Sequence, residues 1–129
     1  QFDRGADVVY AAAGRHRPRR LSGGEDAGKL AIGVDSNQNY IHPGTMLTSM
    51  LKRVDLAVYN SFKTAQDGSW KPGLQILGLA EDGVGWALDD NNKALITPEM
   101  QAAVDKVKAD IIAGTVTVHD YMSDNACPY

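Results

Sequence analysis

Apolar and polar positions follow two different periods along this chain, and together they predict a mixed α/β domain. Short apolar runs at 6–12, 29–34 and 45–50 are bounded by glycine and polar residues, so they predict strands. From Lys52 onward, apolar residues recur every three or four positions until Gly68, which predicts a helix. Lys52 is therefore expected at the start of that helix, beside the carboxyl end of the preceding strand.

The second half of the chain continues the same alternation of periods. Residues 74–79 and 84–88 predict the two strands of a hairpin, and the alternation over 115–120 predicts a final strand. Thr97 and Pro98 are typical of a helix start. The expected buried stripe of that helix consists of Met100, Val104, Val107 and Ile111. The whole order of elements is an α/β pattern.

Length and composition limit the choice of protein class. The 129 residues have room for one domain and one core. A net charge of -3 argues mildly against a nucleic-acid partner. No apolar run approaches the roughly 18–20 residues that cross a bilayer. The single Cys127 cannot form an internal disulfide, and the chain opens without an initiator Met or a signal peptide, as if cut from something longer.

Several common chemistries lack their sequence signals. The first predicted strand is not followed by Gly-x-Gly-x-x-Gly, and neither a phosphate loop nor a Gly-x-Ser-x-Gly elbow occurs. His16, His42 and His119 do not have the spacing of metal ligands, and no cysteine pair supports a zinc site. We therefore expect no catalytic residues, no cofactor and no metal site, and we do not interpret the chain as an enzyme.

The run from Leu30 to Gln38 is the clearest candidate for a binding site, since an apolar strand ends abruptly in polar residues. The Asp35 carboxylate has two oxygens that can accept hydrogen bonds from a vicinal diol. Lys52 can donate to a hydroxyl or a ring nitrogen, and Gly14 allows close backbone approach. These three candidates suit a neutral polyhydroxyl ligand. The alternatives are a helix- or turn-capping aspartate at Asp35 and a solvated lysine in the first turn of a helix at Lys52.

The basic run Arg15-His16-Arg17-Pro18-Arg19-Arg20 disagrees with its surroundings, because it lies where a crossover helix is expected. A run of this kind can bind nucleic acid or phosphate. Such runs are more often solvated surface loops. A third explanation depends on a family resemblance.

Several segments of the chain resemble one protein family, the basic membrane proteins, which are PnrA-like substrate-binding proteins of ABC transporters. The segments that carry the resemblance are Gly5-Ala6-Asp7-Val8-Val9-Tyr10-Ala11-Ala12-Ala13-Gly14, Ala31-Ile32-Gly33-Val34-Asp35-Ser36-Asn37-Gln38, residues 47–59, residues 78–85 and Ile112-Ala113-Gly114. They extend over nearly the whole chain. Ala80 and Asp82 depart from the family pattern, which puts a ligand contact from their loop in doubt.

The resemblance implies a type I periplasmic-binding-protein-like fold, in which two α/β lobes close on a nucleoside. The expected ligand is a purine nucleoside or a related sugar-containing solute. Residues 1–129 would form the carboxyl-terminal, Rossmann-like lobe, with a mostly parallel sheet and flanking helices. The amino-terminal lobe, its stacking aromatic residue and the export signal would be missing. By motif, Asp35 would hold the ribose hydroxyls, Lys52 would reach into the cleft and Gly14 would line it.

The same resemblance implies the partners and the location of the protein. It would deliver its ligand to ABC permease subunits, without cofactor or nucleic acid, as a periplasmic protein or a membrane-anchored extracytoplasmic lipoprotein. The alternative is the ligand-sensing effector domain of a regulator with the same fold, and an enzyme with a Rossmann-like sheet comes third. Nucleoside binding without turnover would separate the transport protein from the enzyme.

Residues 15–24 break the family pattern, which usually continues with Gly-Thr-Gly-x-Gly-Val and a helix. Read one base later, codons for the basic run permit Gly-Thr-Gly-Leu-Gly-Val. We therefore hypothesise a pair of compensating frameshifts in the gene or in its sequencing. Sequencing the coding DNA tests this hypothesis, which fails if the codons of Arg15 and Arg17 cannot give glycine in the shifted frame.

Overall fold

The computed structural model describes residues 2–10, 12 and 23–127. The candidate Gly14 and residues 15–22, which include most of the hypothesised frameshift, lie outside the described residues. The chain divides into two compact units, Gln1–Thr97 and Pro98–Tyr129. Within the described ranges, no helix is long and apolar enough to cross a membrane.

A four-stranded sheet forms the centre of the first unit. Its strands lie side by side in chain order: β1 Val8–Tyr10, β2 Leu30–Gly33, β3 Met46–Lys52 and β4 Val84–Trp86. The first three strands are parallel, and β4 is antiparallel to β3. Parallel strands with one antiparallel edge strand are common in α/β proteins. The predicted α/β class with a mostly parallel sheet is therefore confirmed, as are the first three predicted strands.

The apolar core of this unit is small and lies along the sheet. Ala31 of β2 and Met46 of β3 are almost fully buried, and Ile41 packs against them. Val9 and Val34 are buried as well. The three parallel strands thus bury part of the apolar runs that predicted them.

Helix α1, Val54–Asp67, follows β3 after a single residue. It ends as predicted at Gly68, whose φ of 76° provides the left-handed C-cap and whose N–H donates to the Thr64 carbonyl. Lys52 is the last residue of β3 and does not begin the helix, so that expectation was wrong. The reason is sheet pairing: Lys52 lies opposite Val84 of β4 in the antiparallel ladder.

The predicted hairpin of residues 74–79 and 84–88 does not form. Only Val84–Trp86 is a strand, and its partner is β3. The chain just before it is used in a turn, where the Gly83 N–H donates to the Gly78 carbonyl at 2.8 Å. The open edge of β3 therefore receives β4, and residues 74–79 have no strand partner in the described part of the chain.

The second unit consists of helix α2, Pro98–Ile112, and the short helix α3, Tyr121–Asp124. The predicted start of α2 at Pro98 is confirmed. None of the α2 side chains is buried, so the expected buried stripe was wrong. The predicted strand over 115–120 is also absent, because the backbone N–H groups of Thr115 and Val116 bond the Asp110 carbonyl beyond the helix end.

Candidate ligand-binding site

Asp35 lies just beyond the carboxyl end of β2, where the chain leaves the sheet. Its φ of 72° is in the left-handed region, which residues with a Cβ rarely adopt. The Asp35 carbonyl accepts a hydrogen bond of 2.9 Å from the backbone N–H of Lys52. This bond ties the loop after β2 to the last residue of β3, so the two predicted site residues are neighbours through their backbones.

A hollow of about 360 Å³ opens beside this bond. Asp35 and Lys52 both line it, together with Ser36, Asn37, Leu51, Arg53, Val54 and Asp55. The hollow is at the carboxyl edge of the parallel strands, where ligands of open α/β sheets usually bind. The structure therefore brings Asp35 and Lys52 together in one concave site.

Four charged side chains line the hollow, two of each sign. The Arg53 guanidinium bonds the Asp55 carboxylate through Nε at 3.0 Å and through Nη2 at 2.9 Å. Hydrogen bonding to Asp55 raises the pKa of Arg53, and hydrogen bonding to Arg53 lowers the pKa of Asp55. The charges of Arg53 and Asp55 therefore cancel each other. Asp35 and Lys52 are the other two charged residues of the lining, one of each sign, so the lining as a whole has no net charge.

Gly14, the third candidate, lies outside the described residues, so the structure does not place it relative to this hollow. Metal binding was not expected from the sequence. Across residues 2–10, 12 and 23–127, no group of three or more His, Cys, Asp or Glu side chains is arranged to hold a metal ion.

A buried polar network that involves the loop after β2 was not foreseen from the sequence. Asn39, Ser49 and Asn92 have no exposed surface. Ser49 Oγ donates to Asn39 Oδ1 at 2.8 Å, and Asn39 Nδ2 donates to Asp89 Oδ2 at 3.1 Å. Asp89 is followed closely by two asparagines, which is a signal for turns, but its contact with a loop some fifty residues earlier depends on tertiary packing.

The two amides at the polar end of the Leu30–Gln38 run belong to this network. Gln38 Oε1 accepts a hydrogen bond from the Val34 N–H at 3.0 Å, and Asn37 Nδ2 donates to Asp89 Oδ2 at 2.7 Å. These side chains therefore hold the loop in its conformation, whereas the sequence pattern suggested that the whole polar end of the run faces a ligand.

The fold agrees with a comparison of the chain with known protein families. A model of the Bmp family, described as ABC transporter substrate-binding protein PnrA-like, matches residues 1–120. The chain belongs to this family. The resemblance drawn from the sequence motifs is confirmed by this match.

Curated relatives of this Bmp chain include lipoproteins and a nucleoside-binding protein. An uncharacterized lipoprotein of Pyrococcus abyssi is 42% identical over 95 residues, which cover 68% of this chain and 24% of the relative. Basic membrane protein D of Borreliella burgdorferi is 33% identical over 94 residues, which cover 70% of this chain and 28% of the relative. The ABC transporter nucleoside-binding protein BmpA of Lactococcus lactis is 30% identical over an alignment of 135 residues, which covers 91% of this chain and 37% of the relative. The Bmp chain thus spans between 24% and 37% of these relatives.

Solved structures show the same fold. An ABC transporter solute-binding protein of Aeropyrum pernix K1 is 26% identical with a TM-score of 0.71, over 93% of this chain and 43% of that one. A transcriptional activator of the comK gene from Bacillus halodurans has a TM-score of 0.75 at 19% identity, over 99% of this chain and 41% of that one. At this level of identity the likeness shows the fold alone. The Bmp chain therefore has the predicted periplasmic-binding-protein-like fold.

Proposed function

We propose that this chain forms one wall of a nucleoside-binding cleft in an extracytoplasmic solute-binding protein, which delivers its ligand to an ABC permease. The observation that carries the proposal is the shared hollow of Asp35 and Lys52 at the carboxyl edge of the sheet. Membership of the Bmp family and a relative named as a nucleoside-binding protein support it.

The lining of the hollow suits a neutral ligand that is rich in hydroxyl groups. The two oxygens of the Asp35 carboxylate accept hydrogen bonds from the vicinal 2′ and 3′ hydroxyls of a ribose. The Lys52 ammonium donates to a ring oxygen, a hydroxyl or a base nitrogen. Arg53 is already engaged by Asp55, so the lining offers balanced charge to an uncharged nucleoside. In this proposal Gly14 also lines the cleft.

A single wall leaves one side of the ligand in water. We place residues 1–129 in the carboxyl-terminal lobe of a two-lobe protein, whose amino-terminal lobe closes over the ligand. Closure excludes water, which strengthens the polar contacts of Asp35 and Lys52 and sequesters the ligand. The protein then binds and releases its ligand without chemical conversion, and the ABC permease receives it.

The proposed location outside the cytoplasm comes from the relatives. The Pyrococcus abyssi relative is named as a lipoprotein, and a solute-binding protein must meet its ligand on the outer side of the membrane before transport. We therefore place the protein in the periplasm or on the outer face of the membrane, held there by a lipid anchor.

Calorimetric titration of the product of the complete gene tests this function. We expect adenosine or guanosine to bind much more tightly than free ribose, and chromatography of the mixture to recover the nucleoside unchanged. Failure of both nucleosides to bind would contradict the proposal. Release of free base or of any other product would favour an enzyme.

Substitutions at the two site residues test the geometry. Asp35→Asn removes the charge that holds the diol and Lys52→Gln removes the donor ammonium, so we expect each to weaken nucleoside binding by at least about tenfold. Lys63→Gln is the matched control, because Lys63 is an exposed lysine of α1 that does not line the hollow. Equal effects of Lys52→Gln and Lys63→Gln would contradict the role of Lys52.

A further inference from the structure

The backbone of Asp35 needs support, because its left-handed conformation is unfavourable for a residue with a Cβ. Support comes from both sides of the residue. The Asp35 carbonyl accepts from the Lys52 N–H at 2.9 Å, and the preceding Val34 N–H donates to Gln38 Oε1 at 3.0 Å. The Gln38 side chain thus closes the loop around Asp35 by a hydrogen bond to the residue that precedes it.

Gln38 is itself held in place by a hydrogen bond to a residue of strand β3. Its backbone N–H donates to Ser49 Oγ at 3.0 Å, and Ser49 Oγ donates to Asn39 Oδ1 at 2.8 Å. Ser49 and Asn39 are fully buried, so the bond between them is made away from water and has no solvent substitute. The loop around Asp35 is consequently attached to the centre of β3 by side chains.

The Asp89 carboxylate closes the network at its far end. Its Oδ2 accepts from Asn37 Nδ2 at 2.7 Å and from Asn39 Nδ2 at 3.1 Å. Its Oδ1 accepts from the backbone N–H of Asn91 at 2.7 Å and from Asn91 Nδ2 at 3.0 Å. Four donors meet one side chain, and an ionised carboxylate accepts on both oxygens, whereas the amide of an asparagine would present a donor on one side.

We propose that Asp89 is a positioning residue for ligand binding, because through Asn37 and Asn39 it fixes the loop that presents Asp35 to the hollow. Asp89 does not line the hollow. Its effect on the ligand passes through Asp35, so it changes the contact with the ribose hydroxyls specifically. This inference rests on the proposed nucleoside function.

The discriminating measurement is the affinity ratio between a ribonucleoside and its 2′-deoxy analogue, determined by calorimetry on the product of the complete gene. A correctly aimed Asp35 bonds the 2′ hydroxyl, so the wild-type protein should prefer adenosine over 2′-deoxyadenosine by at least about tenfold. Asp89→Asn should reduce this ratio to within about threefold of unity, which is also the result expected of Asp35→Asn. A general loss of stability would lower the affinity for both nucleosides equally and leave the affinity ratio unchanged.

Asp90→Asn is the matched control. Asp90 is the neighbouring exposed carboxylate, and it bonds Lys93 at the surface and not the loop around Asp35. This variant should keep the wild-type ratio. The double variant Asp35→Asn with Asp89→Asn should show the ratio of Asp35→Asn alone, because Asp89 acts only through the position of the Asp35 carboxylate.

A second variant keeps the inference testable if Asp89→Asn does not fold. Ser49→Ala removes one oxygen from the middle of the network at nearly constant volume, and it should lower the ratio in the same direction. An unchanged ratio in the folded Asp89→Asn or Ser49→Ala protein, while Asp35→Asn abolishes the preference, would overturn the positioning role and leave the proposed function intact. Absence of nucleoside binding to the wild-type protein would overturn both.

Discussion

Gly33 shows how a single residue without a Cβ shapes the edge of the sheet. It is the buried last residue of β2, and a Cβ there would lie 2.7 Å from Ser49 Oγ and 2.8 Å from Gln38 Oε1. Both oxygens are engaged in the hydrogen bonds that hold the Asp35 loop. The space beside Gly33 is therefore already filled by the network.

Gly33→Ala should lower the free energy of unfolding by about 1–3 kcal/mol, because Ser49 or Gln38 must leave its hydrogen-bonded position. Urea denaturation measures the change. Gly85→Ala in β4 is the control, since a Cβ at Gly85 meets nothing within 4 Å, and its effect should stay within about 0.5 kcal/mol. Equal losses in the two variants would contradict the crowding at Gly33.

The charge of Asp89 should make stability depend on pH. Hydrogen bonds from the Asn37 side chain and then from the Asn91 N–H lower the pKa of Asp89 in the folded protein. Since the folded pKa is below the unfolded value of about 3.9, this stabilisation is present above that value and is lost as the pH falls through the folded pKa. The difference in unfolding free energy between wild type and Asp89→Asn should therefore be largest near neutral pH.

Urea denaturation between about pH 7 and pH 3 measures this difference across the ordinary aspartate range. Asp90→Asn again serves as the control, because it removes a neighbouring carboxylate and none of the bonds to Asn37, Asn39 or Asn91. A difference between wild type and Asp89→Asn that is the same at both ends of the range would contradict the charged role of Asp89.

At the scale of elements, one asparagine joins the turn after β4 to strand β3. Asn92 is fully buried, and its Nδ2 donates to the carbonyls of Leu47 and Ala87, each at 2.9 Å. Its Oδ1 accepts from the Asp89 N–H at 2.8 Å. The turn that carries Asp89 is therefore placed against β3 by Asn92.

Asn92→Ala should cost about 2–4 kcal/mol of unfolding free energy, because it leaves buried backbone groups without this partner and opens a small cavity. Asn91→Ala, in the same turn but exposed, should cost less than about 1 kcal/mol. Thermal and urea denaturation of both variants provide the comparison. Similar losses would show that the buried amide does not hold the turn.

At the scale of the whole molecule, the two units differ in how much they bury. The sheet unit contains every buried residue of the described chain, including Ala31 and Met46. Helix α2 of the second unit has the apolar stripe that its sequence predicted, but Met100, Val104 and Val107 are between 39% and 49% exposed. The sequence period predicted this helix correctly, but burial of apolar side chains within its unit contributes little to the stability of the helix.

Hydrogen exchange should reveal this difference. An isolated helix of this length is marginal in water, so in the 129-residue chain the amides of α2 should exchange at least about tenfold faster than those of β2 and β3. Mass spectrometry of peptides from the two units measures the rates within one sample. Equal protection of α2 and β3 would contradict the expectation.

Local signals were enough for part of this architecture. The apolar runs predicted β1, β2 and β3, the helical period with Gly68 predicted α1, and Pro98 predicted the start of α2. The same signals failed for 74–79, because a strand needs a partner edge and no sequence period says which edge is open. Residue chemistry singled out Asp35 and Lys52 as candidate ligand-binding residues, and the structure places both in the lining of one hollow, because parallel strands end at the same edge of a sheet.

The sequence by itself determined the class of the fold, most helix and strand positions and the family, since periodicity, caps and motifs are properties of neighbouring residues. Only the tertiary structure decided that β4 pairs with β3, that Lys52 ends a strand and that Asp89 supports the Asp35 loop. These outcomes depend on strand pairing and hydrogen bonds between residues far apart in the chain, which the pattern of neighbouring residues does not specify.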